Sequence, residues 1–387
     1  MSKYIWEELK RVIIKKKISI IIIVMITIAF GIINISKTKT LEANLQGDKA
    51  LLDIQKSGRD KAKTEFKKAE FSRDIAGNEK QIAAIEEQLN TINNYDKSKL
   101  DEQIQKLEKE NNPKNEYKII QLKYEKEHNI EKSELTPRGT YRTIEILMGF
   151  IPMIFLLIMI VLLSDIVSGE YAPNTIKILL TKSIPRKRII ISKFIVSIIL
   201  SASTMVISAI IFILEAGIHL GFSDYRLPFD VGAKYVFDKS LPLTSLTSQM
   251  KYVPGSRTII PLWSSIIILV LITIIVSIAI ISIIMFISTV CKNSLISALT
   301  NFILICGTAI WYVLEFAGRN LVSAKYGVLV KFFPIPYIIN GIEILTGVIS
   351  QQLTSSVNIL FILMVCFGWT LTMMFLSTYI FGKRDFD

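Results

Sequence analysis

Five carboxylates, Glu145, Asp165, Glu215, Glu315 and Glu343, stand in or beside long apolar runs. An acid held at membrane depth can relay protons or pair with a passing cation. Each of the five lies near the end of its run, within reach of water, so a structural role is the simpler reading. An acid turned toward an internal cavity would reverse that. Catalysis has little else to draw on. His128 lies among charged helical residues and His219 in a stretch read as an outer loop, too far apart to suggest a cluster. Cys291, Cys306 and Cys366 have neither metal-ligand nor redox spacing and read as small core residues. There is no Gly-x-x-x-x-Gly-Lys-Ser/Thr loop to cradle phosphates, no Gly-x-Ser-x-Gly elbow and no His-Glu-x-x-His zinc site. With no catalytic residue and no metal ligand to assign, the chain is read as a non-enzyme. Without a phosphate loop, the chain is not read as a nucleotide hydrolase.

The elements that hold these residues are membrane spans. Half of the 387 residues are hydrophobic and mean hydropathy is +0.46, values of a chain whose main solvent is lipid. At about 1.5 Å per residue, a hydrocarbon core of about 30 Å needs roughly 20 apolar residues. Six stretches qualify: 18–35, 146–166, 191–214, 260–290, 295–315 and 357–381. The first follows a basic stretch, as a signal peptide would. It is longer than a signal core, however, Glu7 and Glu8 precede it, and no small-x-small cleavage site follows, so it reads as an uncleaved span.

The net charge of +12 sets orientation and does not indicate nucleic acid. Residues 36–142 hold 22 basic and 20 acidic side chains, so nearly all the excess flanks the apolar runs. Lys10, Arg11, Lys15, Lys16 and Lys17 precede the first span, and Lys177, Lys182, Arg186, Lys187 and Arg188 join the second to the third. Lys292 joins the fourth to the fifth, and Lys383 and Arg384 follow the sixth. In a six-span arrangement all of them fall on one side, which the positive-inside rule makes cytoplasmic. Both termini are then cytoplasmic in a multi-pass protein of the cell membrane, with membrane lipid as a constant partner. Residues 36–142 form an extracytoplasmic domain.

Within that domain Ile75, Ile82, Ile85, Leu89 and Ile92, then Leu100, Ile104 and Leu107, recur at spacings of three and four. That is the seam of a coiled coil or helical hairpin. Asn93-Asn94-Tyr95-Asp96 reads as its turn, and Asn111-Asn112-Pro113 breaks the returning helix. The seam fits a gate, a partner contact or a plain stalk. The fold class is therefore all-α: about six transmembrane helices plus an extracytoplasmic helical hairpin.

Between the second and third spans runs Ser168-Gly169-Glu170-Tyr171-Ala172-Pro173-Asn174-Thr175-Ile176-Lys177-Ile178-Leu179-Leu180-Thr181, then Ile184-Pro185-Arg186 and Ser192-Lys193. Pro173 suits a first helical turn, Ile176, Leu179 and Leu180 share a face, and Pro185 closes a short amphipathic helix. This stretch resembles the linker of type-2 ATP-binding-cassette permeases, in which a Gly-Glu, a Thr, a Leu-Leu pair, an Arg and a Ser-Lys recur in this order. The resemblance implies that the linker, 169–188, docks on an ATPase subunit, and it assigns Glu170, Thr175, Lys177, Leu179, Leu180 and Arg186 to the coupling region.

Two more features agree. Residues 1–17 place Ile5, Trp6, Leu9, Val12 and Ile13 on one face of a helix at the membrane interface. Pro334 and Pro336, then Gly341, look like the re-entrant segment, about 332–350, that such permeases place before the last span. The resemblance covers 1–35 and 143–387, and the 36–142 domain departs from it. It implies a permease subunit working with two copies of a cassette ATPase, which would bind ATP and Mg2+, and with a second permease copy or a similar permease. The expected function is export of a hydrophobic peptide, antibiotic or lipid-like substrate. The alternatives are ATPase-coupled mechanical signalling through the outer helices, or an ATP-independent channel or carrier.

Overall fold

The computed structural model describes residues 2–14, 41–62, 64–110, 112, 115–135, 139–148, 151–171, 185–241, 249–317, 329–353 and 356–384. The expected first span at 18–35 and linker residues Thr175, Lys177, Leu179 and Leu180 lie outside them.

In chain order the helices are α1 (Ser2–Ile14), α2 (Leu41–Lys61), α3 (Glu65–Asn93), α4 (Leu100–Lys109), α5 (Glu116–Glu127), α6 (Thr140–Met148), α7 (Ile151–Leu163) and α8 (Arg186–Leu220). Strands β1 (Pro228–Val231), β2 (Tyr235–Phe237), β3 (Met250–Tyr252) and β4 (Thr258–Pro261) follow, then α9 (Leu262–Val290) and α10 (Ser294–Asn301). A π turn over Phe302–Cys306 carries α10 into α11 (Gly307–Ala317). Short helices α12 (Ile335–Ile339), α13 (Gly341–Thr346) and α14 (Ile349–Gln352) precede α15 (Ile359–Lys383).

Four helices among the described residues are long and apolar enough to cross a membrane: α8, α9, the stretch Ser294–Leu314 and α15. They correspond to the third to sixth expected spans, and the chain is an all-α polytopic membrane protein. The third begins at Arg186, because Arg186, Lys187 and Arg188 form the first turn of α8. His219 sits in the last turn of that helix and not in a loop.

The chain divides into two units, the first made of residues 1–27, 144–212 and 229–387. Its centre is α9, which packs along α15 and also meets α7, α12 and α13. Five buried hydroxyls on α9 bond within the helix itself. Ser265, Thr273, Ser277, Ser282 and Thr289 donate to the carbonyls of Leu262, Leu269, Ile274, Ala279 and Met285, all within α9. In a lipid-like interior this internal bonding removes the cost of an unmade hydrogen bond. Asn293 caps α10 by accepting from Leu295 N (2.8 Å), and Asn358 caps α15 by accepting from Phe361 N (2.8 Å).

β1 pairs with β4, and β2 pairs antiparallel with β3 in the register Tyr235 to Tyr252, Val236 to Lys251 and Phe237 to Met250. Gly232 N and Ala233 N donate to the carbonyls of Leu345 (2.9 Å) and Thr346 (3.0 Å), which seats the 228–233 strand region on α13. Gly347 ends α13 in the left-handed conformation, φ +83°, and a Cβ there would run into the Ala233 carbonyl. Only glycine serves at that crossing.

The second unit comprises 28–143 and 213–228. α2 and α3 pair antiparallel, since Lys49 reaches Glu86 (2.7 Å) while Lys56, further along, reaches the earlier Glu79 (3.1 Å). Buried Asn78 donates to Asp48 O (3.0 Å) and Gln55 Oε1 (3.3 Å) between them. The partner of the Ile75 and Ile82 seam is thus the upstream helix α2 and not the returning α4. α4 packs instead on α5, where Leu100, Ile104 and Leu122 form a small core edged by Tyr95, Leu107 and Ile119. The turn after α3 lies where Asn93–Asp96 placed it, and Asp96 caps it by accepting from Ser98 N (3.0 Å).

Burial pushes the Glu125 carboxyl of α5 above its usual range, against the opposing hydrogen bond from Gln121 Nε2 (2.8 Å). From about pH 4.3, the unfolded glutamate value, to that raised value the folded chain holds a proton the unfolded chain has lost. Stability therefore falls as pH rises through this window. Glu125→Gln is expected to flatten the fall. Hydrogen exchange of residues 116–127 in the full chain, corrected for intrinsic rates across a pH series, measures it, and an unchanged slope would remove Glu125 as its source.

A strap closes this unit. Asp224, fully buried at φ +69°, accepts from Tyr141 N (3.2 Å) at the start of α6, where a carboxylate satisfies an otherwise orphaned N–H and opposes the helix dipole. Thr140 Oγ1 donates to Gly221 O. Arg226 Nη2 pairs with Glu134 (2.5 Å), and Nη1 reaches the carbonyl of His128 (3.4 Å). Residues 128–141 and 221–226, far apart in the chain, are tied at four places.

Candidate functional site

The first unit contains a buried ionic junction where three elements meet. α1 lays Ile5 and Leu9 against Val196 and Leu200 of α8, which turns Glu8 inward. The turn Ser168–Glu170 is pinned by Ser288 of α9, whose Oγ accepts from both Val167 N and Ser168 N (3.1 Å each). Ser297 Oγ donates to Ser164 O (2.5 Å) just before it. Held this way, Glu170 faces Lys193 on the second turn of α8.

Lys193 Nζ lies 2.6 Å from Glu8 Oε1 and 2.9 Å from Glu170 Oε1. Arg11 Nη2 lies 2.7 Å from Glu8 Oε1 and also pairs with Glu170. Lys193 is 1% exposed, Glu170 3% and Glu8 4%, while about a third of the Arg11 side chain reaches solvent. Two acids and two bases alternate around a closed square. Burying any of these charges alone costs several kcal/mol, roughly, and only full pairing offsets it. The junction therefore fixes one relative placement of α1, the turn and α8, because any other leaves a bare charge in the interior.

A second set of bonds surrounds Arg186. Its Nη1 donates to the carbonyls of Gly382 (3.2 Å) and Arg384 (2.9 Å), in the last turn of α15 and just beyond it. Arg384 in turn donates to Thr289 O (2.6 Å) and Val290 O (3.1 Å), the last carbonyls of α9, and its guanidinium lies 5.1 Å from the Tyr171 ring centroid. These are the carbonyls a helix cannot satisfy by itself. Thus Arg384, read in the sequence only as an orienting charge, also joins the ends of two spans.

Of the coupling residues read from the linker, Glu170 and Arg186 are described and belong to these two sets; Thr175, Lys177, Leu179 and Leu180 lie outside the described residues. Along α1, Ile5 and Leu9 pack inward, whereas Trp6 is exposed with Lys10 Nζ 5.2 Å above its ring. The side chains of Val12 and Ile13 lie outside the description.

Pro334, Pro336 and Gly341 form a separate cluster. Pro334 caps α12, Pro336 is buried, and Gly341 opens α13 close to Leu269 of α9. Asn340 donates there to Tyr312 OH (2.5 Å) and Pro336 O (2.9 Å). Of the five carboxylates beside apolar runs, Glu145, Asp165, Glu215 and Glu343 are partly exposed and the side chain of Glu315 is outside the description. Cys306 and Cys366 are buried and Cys291 half-buried.

Sequence reading missed Glu8 as a site residue, and it singled out Lys193 only within the Ser192-Lys193 of the linker motif, with no role assigned. Both carried a signal: an acid within the Ile5, Leu9, Val12 stripe of α1, and a lysine among Ile189, Ile190, Val196 and Leu200 at helical spacing. A lone charge on an apolar face needs a partner.

None of the curated proteins compared with the chain matches it. Residues 4–386 match the family described as ABC-2 family transporter protein, which covers α1, the junction and every described span. The apolar helices and this near-complete match agree with the linker motif around Glu170, and the chain belongs to the ABC-2 transporter family as the membrane-spanning permease subunit of an ABC transporter that works with a partner ATPase.

Proposed function

We propose that the chain pairs with a second copy of itself or a similar permease and exports a hydrophobic peptide, antibiotic or lipid-like compound. Two copies of a cassette ATPase, holding ATP and Mg2+, drive it from the cytoplasmic side, where both termini lie. The ATPase docks on the linker 169–188 and on α1, and Glu170, Thr175, Lys177, Leu179, Leu180 and Arg186 make up the coupling region that receives its motion. Cargo of this chemistry suits a span such as α15, which exposes Leu360, Met364, Phe367, Leu371 and Phe375.

The observation that carries the reading is the ionic junction. Glu170, at the entrance to the linker, is bound to α1 and α8 at once, so a push on the linker reaches both through short ionic contacts. Purification through a tag on the permease tests it. The cassette ATPase is expected to co-elute with the wild type and to be lost from Leu179→Asp/Leu180→Asp. Full ATPase retention and undiminished export in that variant would dismiss the linker as the docking site.

The strap between 128–141 and 221–226 favours a second reading, in which the helices α2–α5 pass ATP-driven motion to an outer partner. Deleting 45–135 separates the two. Lost export supports a transport role for these helices, whereas intact export with lost partner activation supports signalling.

A further inference from the structure

A groove runs down one side of α15. Phe332, Phe361, Met364, Gly368, Trp369 and Met373 are among its lining residues, and the groove, open along its side, offers about 610 Å³. That is within the roughly 300–1,000 Å³ of small-molecule sites. Along the helix it extends from Phe361, two residues into α15, to Met373, about 18 Å at 1.5 Å per residue. A 25-residue helix spans about 38 Å against a hydrocarbon core of about 30 Å, so its first turn stands at headgroup level and the groove descends from there toward mid-membrane.

The mouth is cationic. Lys331 Nζ lies 5.5 Å from the Phe332 ring centroid and 5.8 Å from that of Phe361. The mouth is also held in place: Trp369 Nε1 donates to Phe332 O (2.7 Å), and Tyr337 OH donates to Lys331 O. Phe333 packs against Trp369 with centroids 5.7 Å apart, as Phe332 does against Phe361.

The floor contains Gly368, where a Cβ would meet nothing within 4 Å. Glycine inside a helix costs about 1 kcal/mol relative to alanine, and no neighbour among the described residues requires it here. Its smallness keeps the groove open. A second protein helix would favour a flat face of small residues, whereas this wall is bulky, aromatic and methionine-rich. A cation at headgroup level above an apolar slot reaching mid-membrane has the charge and depth of one lipid molecule.

We propose that this groove binds an anionic phospholipid, with one acyl chain between Met364, Gly368 and Met373 and its phosphate at Lys331. The site shares Met364 with the exposed face of α15 described above, and its test involves no transport.

Trp369 supplies the readout. The full chain, with Trp6, Trp263 and Trp311 changed to phenylalanine, is placed in phosphatidylcholine nanodiscs containing either acyl-brominated phosphatidylglycerol or acyl-brominated phosphatidylcholine. Quenching of Trp369 is expected to report about a fivefold relative affinity for phosphatidylglycerol, the size of one lysine's attraction to an anionic headgroup. Lys331→Gln is expected to abolish the preference, and Gly368→Leu to reduce quenching by both lipids. A chain that keeps only Trp311 is expected to show no preference. Equal quenching by the two lipids, a preference that survives Lys331→Gln, or the same preference at Trp311 would overturn the proposal. Absence of quenching by either lipid would also overturn it and would assign the groove to contact with a second copy of the chain.

Discussion

Lys193→Met is expected to destabilise the permease by about 3–5 kcal/mol, the range for removing one partner of a buried ion pair. Methionine matches the length of the lysine stem and fills the space between Ile189, Ile190 and Val196. The loss is therefore electrostatic and not a matter of packing. Glu8 and Glu170 would then face each other in the interior with only Arg11 between them. Arg11→Met is expected to cost less, because its guanidinium is partly solvated and its removal leaves Lys193 in contact with both acids. Adding Glu8→Gln to Lys193→Met is expected to recover part of the loss, since it restores balance between one acid and one base; residues in contact give such non-additive cycles. Thermal unfolding of the purified chain in one detergent measures all four proteins. A Lys193→Met chain within about 1 kcal/mol of wild type, or a double variant no better than the single, would mean that the junction is not closed as described. The same variant is expected to leave the linker able to bind its ATPase while ATP hydrolysis and transport lose their proportionality.

Gly139→Ala has the second largest expected effect. A Cβ on Gly139 would collide with the Asp224 carboxylate, which is fully buried and can retreat only by releasing Tyr141 N. Overpacking of this kind costs about 1–3 kcal/mol, and loss of the helix-start contact about 1 kcal/mol more. Asp224→Gly in the same chain is expected to remove the collision and the left-handed backbone strain, and so to recover all but the lost helix-start contact. Hydrogen exchange over 139–148 and 221–228 reads both changes. Exchange at the wild-type rate in Gly139→Ala would mean the strap does not close around Asp224.

The spans at 260–290, 295–315 and 357–381 were legible because runs apolar on every side have few other ways to be buried. Hydropathy placed the start of α8 too late. Arg186, Lys187 and Arg188 depress any average taken over them, yet their backbone continues the helix that Ile189 and Ile190 anchor. The strands between 228 and 261 are three or four residues long, too short for alternation to stand out. The partner of the Ile75 and Ile82 seam escaped notice because α2 dilutes its stripe: Leu45 and Leu52 turn inward, while Leu51 and Ile54 remain exposed.

The candidate site was half visible. Glu170 and Arg186 stood in a motif that can be read by spacing. Glu8 and Lys193 are 185 positions apart, and only the approach of α1 to α8 brings them together. Glu8 seemed an isolated charge, and Lys193 a motif residue without a role, until the two were brought together. Arg384 is a similar case, since the carbonyls it satisfies become unpaired only where α9 ends.

The alternation of two acids with two bases in the junction has an electrical consequence. A charge carried across a membrane voltage does work of about 2.3 kcal/mol for each elementary charge per 100 mV. Glu8, Glu170, Arg11 and Lys193 sum to zero, so α1, the turn and the start of α8 can shift together through the field without doing such work on account of these four residues. Any joint displacement of these four residues is electroneutral, equally easy in an energised and a depolarised membrane.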